Sequence, residues 1–561
     1  MGEASHIADS LPGNVLPGLP ANKPQETDGW PPTGSLLLAV LVFSCLSLAV
    51  TIATQDFLEM DGCVHYLYAR FAFQEHHLLM NVWERPVCTA VYAVGAAFGG
   101  LIGARVMSLL MALATGWITY RIARGQGYRW PVLAMIFLLA QPLVFLHSSA
   151  ELTELPFAVL LAAGFWAYQQ RRWALMAVLV GLMPPARPEG LGFVMLGSAA
   201  LVLHRQWKWL PVLAAPMLLW SVAGWWTCGQ PEPWYTRVAL WLPEHWPYSS
   251  KSLYQSGSLW HFVDYLPAVV GPIVFPAVLA GIWQSIAGEH RPRLAIRGLY
   301  NWAAGGLFGT DHRERCQWLI AIIPVMILVG HSGLFWMGRM ASSGELRYMM
   351  VVAPLWALLG AKGWEWAFVR CRLRNAVAWA GVAAMLPIFA NVVYRVVPRK
   401  MDEQSKRALA VVKWYESSGL SQRYPRLAAA HPGVYYYADL SMTDMNRSAE
   451  WKPQTVLAAP AGTILVWDPL YAMLNADATR KVEINEVFES GWVLVRVLKE
   501  ETAAVKDTMI NRMAQSIQKD EVGRWRIFLS PMDAQGRQTE RPTTVPGIDG
   551  ETTKSTTLPT H

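Results

Sequence analysis

Charge is the first thing this chain is short of: only 16% of its 561 residues are Asp, Glu, Lys or Arg, against about one-quarter in soluble domains. So little charge cannot coat a solvated surface of this size. The six cysteines include no Cys-x-x-Cys pair and no Cys/His metal spacing, so neither a zinc module nor a disulfide scaffold is indicated. Cys63 and Cys88 share one predicted outer loop, so a single bridge between them is the one disulfide to test. No Rossmann glycine pattern and no compact Asp-x-Asp loop occur, so a soluble nucleotide-sugar domain is not indicated. Internal repeats are absent too, which argues against the inverted halves of many transporters. The first thirty residues are polar and rich in Pro and Gly, so the apolar run that follows starts too late for an ordinary cleaved signal peptide and reads as a retained first span.

What the chain has is apolar mass. Hydrophobic residues make up 53%, with 28 Trp, 19 Tyr and 18 Phe, and the mean hydropathy is +0.24. Aromatic rings gather at both membrane interfaces, so here they are weak signs of a ligand. A hydrocarbon core about 30 Å thick needs roughly 20 apolar residues per helix. By that rule the sequence predicts an all-α polytopic bundle of about eleven spans, near Leu37 to Thr54, Ala104 to Ile122, Trp130 to His147, Leu152 to Tyr168, Trp173 to Pro185, Gly190 to His204, Trp209 to Thr227, Val263 to Ile286, Trp318 to Trp336, Met349 to Trp364 and Ala376 to Val396.

The net charge of +7 and pI near 9.0 come from short basic clusters between apolar runs, not from a nucleic-acid patch. With the N-terminus inside, the predicted inner connections carry Arg121, Arg124 and Arg129, then Arg171 and Arg172, Arg205 and Lys208, Arg291 to Arg297 with Arg313 and Arg315, and Arg370 to Arg374. Positive residues stay on the cytoplasmic side, so the opposite connections face outward. The expected organisation is a disordered cytoplasmic segment 1–36, a membrane module 37–396 whose first outer loop is 55–103, a small outer α/β domain 397–534, and a disordered tail 535–561. In that outer domain Asp402 to Glu416 reads as an amphipathic helix, and Gly433 to Leu440, Thr463 to Trp467 and Trp492 to Leu498 read as strands.

Ionisable groups at a membrane boundary are costly unless paired, hydrated or used. Three clusters lie at predicted outer ends: Glu59-Met60-Asp61-Gly62 followed by His65, Tyr68 and Arg70; Glu151-Leu152-Thr153-Glu154-Leu155-Pro156-Phe157; and Pro185-Ala186-Arg187-Pro188-Glu189-Gly190 together with Glu345-Leu346-Arg347-Tyr348. The bland alternative is that such acids are solvated loop residues and that Arg187 pairs with Glu189 or with lipid headgroups. The sharper reading is one shared cavity. A carboxylate can take a proton from an attacking hydroxyl, while arginine holds a phosphate through paired hydrogen bonds.

In their order and sidedness these motifs resemble the glycosyltransferase C superfamily: acids after the first span, an amphipathic outer loop ending in a Pro-led apolar stretch, Thr-Glu-x-Pro-Phe, Ala-Arg-Pro-Glu-Gly, and Arg-Tyr before an apolar span. The likeness runs over roughly Leu37 to Val396 and is strongest to the RgtA/B/C/D-like transferases, akin to protein O-mannosyltransferases and the aminoarabinose transferase. It implies an integral membrane enzyme that moves a sugar from a polyprenyl phosphate to a glycan, lipid or protein acceptor on the outer face, with inversion, and no nucleic-acid partner. By matching position it implies Asp61 as general base, Glu154 or else Glu151 as the second acid, and Arg187, Arg347 and Tyr348 beside the lipid phosphate. Two departures stand out: Gly62 follows Asp61 where many relatives carry Glu, and Glu84-Arg85-Pro86 replaces a His-Pro-Pro stretch. Acids near a phosphate would suit a divalent cation, yet no ligand spacing demands one. The competing classes are a transporter or flippase of lipid-linked sugars, and a non-catalytic membrane protein working through its outer domain.

Overall fold

In this computed structural model the described residues are 33–54, 58–80, 85–227, 256–287, 311–340, 342–370, 399–444, 446–449, 451–473, 481–498 and 524–530, with positions 380 and 383. Of the expected disordered ends, 1–32 and 535–561 lie outside them, whereas 33–36 open the first helix; the span expected at Ala376 to Val396 lies outside them apart from positions 380 and 383, as does most of the segment from Cys228 to Phe262.

Helix α1, Thr33–Ala53, is followed by α2, Met60–Phe71, a short 3-10 turn at His76–Met80 and the long element α3, Pro86–Gly125. Next come α4, Val132–Leu139; α5, Pro142–His147; α6, Glu154–Gln169; α7, Trp173–Gly181; α8, Gly190–Leu203; and α9, Leu210–Thr227. Three pieces, α10 (His261–Asp264), α11 (Leu266–Val270) and α12 (Phe275–Ala287), precede α13 (His312–Met337), a 3-10 stretch Leu346–Val352 and α14 (Ala353–Arg370).

Among the described residues four helical segments are long and apolar enough to cross a membrane: Leu36–Ala53, Pro86–Gly125, Trp207–Trp226 and His312–Met337. Their outward faces are hydrocarbon, with Leu37 62%, Phe98 90%, Leu219 68% and Val329 64% exposed. Apolar patches of that extent need lipid, so this is an integral membrane protein. Several expected spans are broken or short. Trp130 to His147 splits into α4 and α5, where Pro142 cannot donate to the ladder, and Val263 to Ile286 splits at Gly271, which has φ 95°.

The 40-residue α3 is not one rod. At Gly100 the backbone takes φ 56° and ψ −142°, a region closed to residues with a β-carbon. The chain folds back there: a β-carbon on Gly95 would lie 2.3 Å from the Gly103 carbonyl oxygen, although eight residues of straight helix would separate the two by about 12 Å. Glycine also lets α12 and α14 touch backbone to backbone, since a β-carbon on Gly281 would meet the Leu359 carbonyl oxygen at 1.9 Å and one on Gly363 would meet that of Ala277 at 1.8 Å. Small residues at such crossings are how membrane helices gain dispersion contact.

After the bundle, α15 (Glu403–Ser417) starts at an Asp402 cap whose Oδ1 accepts from the Ser405 amide at 2.9 Å. It is followed by α16, Leu420–Arg423, and α17, Pro432–Tyr437. Strands β1 (Arg426–Ala429), β2 (Thr463–Trp467), β3 (Val493–Leu498) and β4 (Trp525–Leu529) form one sheet in the order β1-β2-β4-β3, with β1 and β2 parallel and the other pairs antiparallel. The expected strand at Gly433 to Leu440 is instead helix α17. Pro432 sits in its first turn, and the His431 ring accepts from the Gly433 amide at 3.1 Å, which starts a helix despite the β-prone tyrosines. Cys63 and Cys88 are both buried and neither is in a disulfide, Cys88 Sγ lying 3.5 Å from the Ala186 carbonyl oxygen, so the expected bridge does not form.

Candidate functional site

The turn between α5 and α6 is stitched down residue by residue. Ser148 Oγ lies 2.8 Å from Ser47 Oγ on α1. From α3, Ser108 Oγ donates to the Ala150 carbonyl at 2.5 Å and Tyr92 OH to that of Leu152 at 2.6 Å. Arg105 closes the set: its Nε donates to Glu151 Oε1 at 2.8 Å and its Nη1 to the Thr54 carbonyl at 2.9 Å. Both members of this ion pair are buried. Breaking such a pair from one side costs about 3–5 kcal/mol. Through this pair Glu151 anchors α1, α3 and the turn.

Glu154 follows at the first position of α6, buried, and takes two arginines. Arg187 Nη1 donates to Glu154 Oε1 at 2.7 Å and to Thr153 Oγ1 at 2.6 Å, while Arg347 Nε stands 3.7 Å from the same Oε1. Glu154 Oε2 has no hydrogen-bond partner although it is buried. An acceptor left so costs about 1–3 kcal/mol, and such exceptions ask for a reason.

Arg187 is delivered by the turn between α7 and α8, where its amide and that of Ala186 bond back to the Met183 carbonyl at 2.8 and 3.0 Å. Its Nη2 donates to Glu189 Oε1 at 2.9 Å. His331 of α13 stands 3.4 Å from that oxygen and stacks on Tyr348, centroids 5.1 Å apart. The Arg187 guanidinium lies 5.8 Å from the Tyr348 ring centroid, and Tyr348 OH is 2.9 Å from Ser343 Oγ. Glu189 is held well below the usual carboxylate range: burial raises it, but Arg187 and His331 together outweigh that.

Arg347 lies in the 3-10 stretch before α14, buried. It bonds Asp61 and Glu345, and approaches Glu59 at 3.4 Å. Asp61, in the first turn of α2, keeps 41% of its side chain open. Enclosure raises its pKa, but the charge and hydrogen bond of Arg347 hold it below the usual range. Glu345 goes the other way: burial lifts it to about 7 against the pull of Arg347, and the neighbouring Asp61 and Glu59 add to the rise.

Asp61, Glu154, Arg187, Arg347 and Tyr348 therefore belong to one continuous network, with Glu151 behind it. Gly62 explains a departure noted in the sequence. A β-carbon there would come within 3.3 Å of Glu151 Oε2, so the space beside Asp61 is already filled by a carboxylate from another turn. Sequence reasoning passed over Arg105 and His331; the signal was there, an ionisable residue inside an apolar run. Among the described residues no cluster of His, Cys, Asp and Glu is arranged to hold a metal.

No family model matches the chain, and no curated protein does. Two solved structures of ArnT from Cupriavidus metallidurans are similar to it. The apo form is 15% identical, with a TM-score of 0.46 over 78% of this chain and 93% of that one. The form bound to undecaprenyl phosphate is 17% identical, with a TM-score of 0.42 over 72% of this chain and 75% of that one. What this network can do is decided by its own residues.

Proposed function

We propose that this chain is a membrane glycosyltransferase of the C type that moves a sugar from a polyprenyl phosphate to an acceptor hydroxyl on the extracytoplasmic face. The observation that carries the reading is the single network running from Asp61 through Arg347 and Glu154 to Arg187. A partly exposed carboxylate joined to two guanidiniums supports a site for a sugar phosphate.

The acceptor oxygen attacks the anomeric carbon and its proton passes to Asp61, whose depressed pKa keeps it ionised and ready. The bond from that carbon to the phosphate oxygen breaks with its electron pair, and the polyprenyl phosphate departs against Arg187 and Arg347. Attack from the face opposite the leaving group inverts the centre. Tyr348 walls the phosphate side, packed on Arg187 and His331. Glu154 Oε2, lacking a partner, is available to a sugar hydroxyl. Arg347 has to trade carboxylates for phosphate as the donor binds, which makes the pocket an ion exchanger.

The test follows labelled sugar from polyprenyl phosphate into product in proteoliposomes. Asp61→Asn is expected to lower kcat by about 10²–10⁴-fold, the range of a lost general base, with donor KM little changed. Full transfer by a folded Asp61→Asn protein removes the assignment of the base. Arg187→Lys and Arg347→Lys, which keep the charge and lose the paired geometry, are expected to raise donor KM.

A further inference from the structure

Helix α2 carries Asp61 but has only twelve residues. A helix of that length is marginal on its own, so its tilt and rotation are set by what it packs against. One side rests on the bundle: Tyr66 and Ala69 belong to the main apolar core. The other side rests on the segment beyond the bundle. Leu58, Cys63 and Leu67, each buried, share a second core with Val411 and Val412 of α15 and Tyr435 of α17.

Three more contacts fix the same pair of surfaces. Tyr66 meets Tyr436 of α17 edge to face, centroids 5.6 Å apart at 76°. Past the end of α2, Glu75 Oε2 accepts a 2.6 Å hydrogen bond from Thr443 Oγ1. Arg70 Nε lies 3.7 Å from Asp439 Oδ1, a half-exposed pair worth little alone. Both apolar faces of α2 are thus packed, and its C-terminal end is tied to the segment beyond the bundle.

We propose that the C-terminal segment is a positioning element of the transfer centre: Tyr436 and Thr443 lock α2 in the rotation that holds Asp61 against Arg347. This rests on Asp61 as the base. Neither residue touches a reacting atom. Their effect travels through α2, where a displacement of about 1 Å at the carboxylate can cost 10²-fold.

The experiment uses the full chain in bilayers, with Tyr436→Ala, Thr443→Val and the conservative Tyr436→Phe. In Tyr436→Ala the amides of α2 are expected to exchange with deuterium about tenfold faster, while those of α6 and α14 do not change. The same variant is expected to lose about tenfold in kcat with donor KM within about twofold of the parent, and Tyr436→Phe restores both. Its acidic kcat limb is expected to move to higher pH, because an Asp61 held less firmly by Arg347 titrates higher among its neighbours Glu59, Glu345, His65 and Arg187. Thr443→Val, a smaller lesion, is expected to show the same signs more weakly.

Unchanged exchange of α2 in Tyr436→Ala overturns the proposal, as does loosened exchange with an unaltered kcat. A rise in donor KM at constant kcat overturns it too. Failure of the base assignment is read separately: Asp61→Asn then keeps transfer while the α2 exchange result stands.

Discussion

Arg347 faces more negative charge than one guanidinium can neutralise, with Asp61, Glu59, Glu345 and Glu154 all about it. The group that yields is Glu345, lifted to about 7. Below that pH it is protonated and gives up its hold on Arg347; above it, a carboxylate would compete with the phosphate of the proposed donor. Donor KM is therefore expected to rise several-fold from about pH 6 to about pH 8, and Glu345→Gln is expected to flatten that rise, as steady-state kinetics at each pH will tell. Arg105 and Glu151 make a separate prediction: Arg105→Met alone should lower stability by about 3–5 kcal/mol, and the double change with Glu151→Leu should recover much of it, measured by thermal unfolding in detergent. Asp61, Glu154, Arg187 and Arg347 were legible in the sequence because ionisable residues are few and these four sit beside predicted span ends. Arg105 stood out only as an ionisable residue inside an apolar run; its anchoring role was not legible, since it depends on Glu151 and the Thr54 carbonyl, partners about fifty positions away that no local pattern announces.

At the scale of elements, hydropathy reported composition and missed interruption. A window averaged over about nineteen residues sees Trp130 to His147 as continuous, although the chain breaks around Gln141 and Pro142. It likewise reports Val263 to Ile286 as one run, although Gly271 ends α11. The strands Thr463–Trp467 and Val493–Leu498 were readable because apolar β-branched runs stand between turn residues. The tyrosines of α17 misled because Pro432 and the His431 cap outweigh side-chain propensity. Close helix crossings follow glycines that no periodicity flags. Gly363→Val would drive its side chain into the Ala277 carbonyl, and the expected cost is at or above the 1–3 kcal/mol or so of ordinary overpacking. Thermal melts of the purified variant against the parent check this, and Gly330→Ala, at a position with nothing within 4 Å, is the matched control.

For the whole molecule, the hydrocarbon belt makes its own prediction. Cys45 is exposed on α1, whereas Cys63, Cys88 and Cys316 are buried. Exposure there means lipid. A membrane-impermeant maleimide is expected to leave Cys45 unlabelled in intact bilayers and to label it after unfolding in SDS; mass spectrometry of the tryptic peptides distinguishes the two. Labelling in the intact bilayer would put that face of α1 in water. The same greasy flanks, reaching from Leu37 on α1 to Val329 on α13, bear on how the proposed long-tailed donor would arrive. Such a molecule need never enter the aqueous phase: it diffuses in two dimensions and meets the protein sideways. Turnover in mixed micelles should accordingly track the donor's mole fraction in the amphiphile, and fall on surface dilution with inert detergent even when its bulk molarity is held fixed.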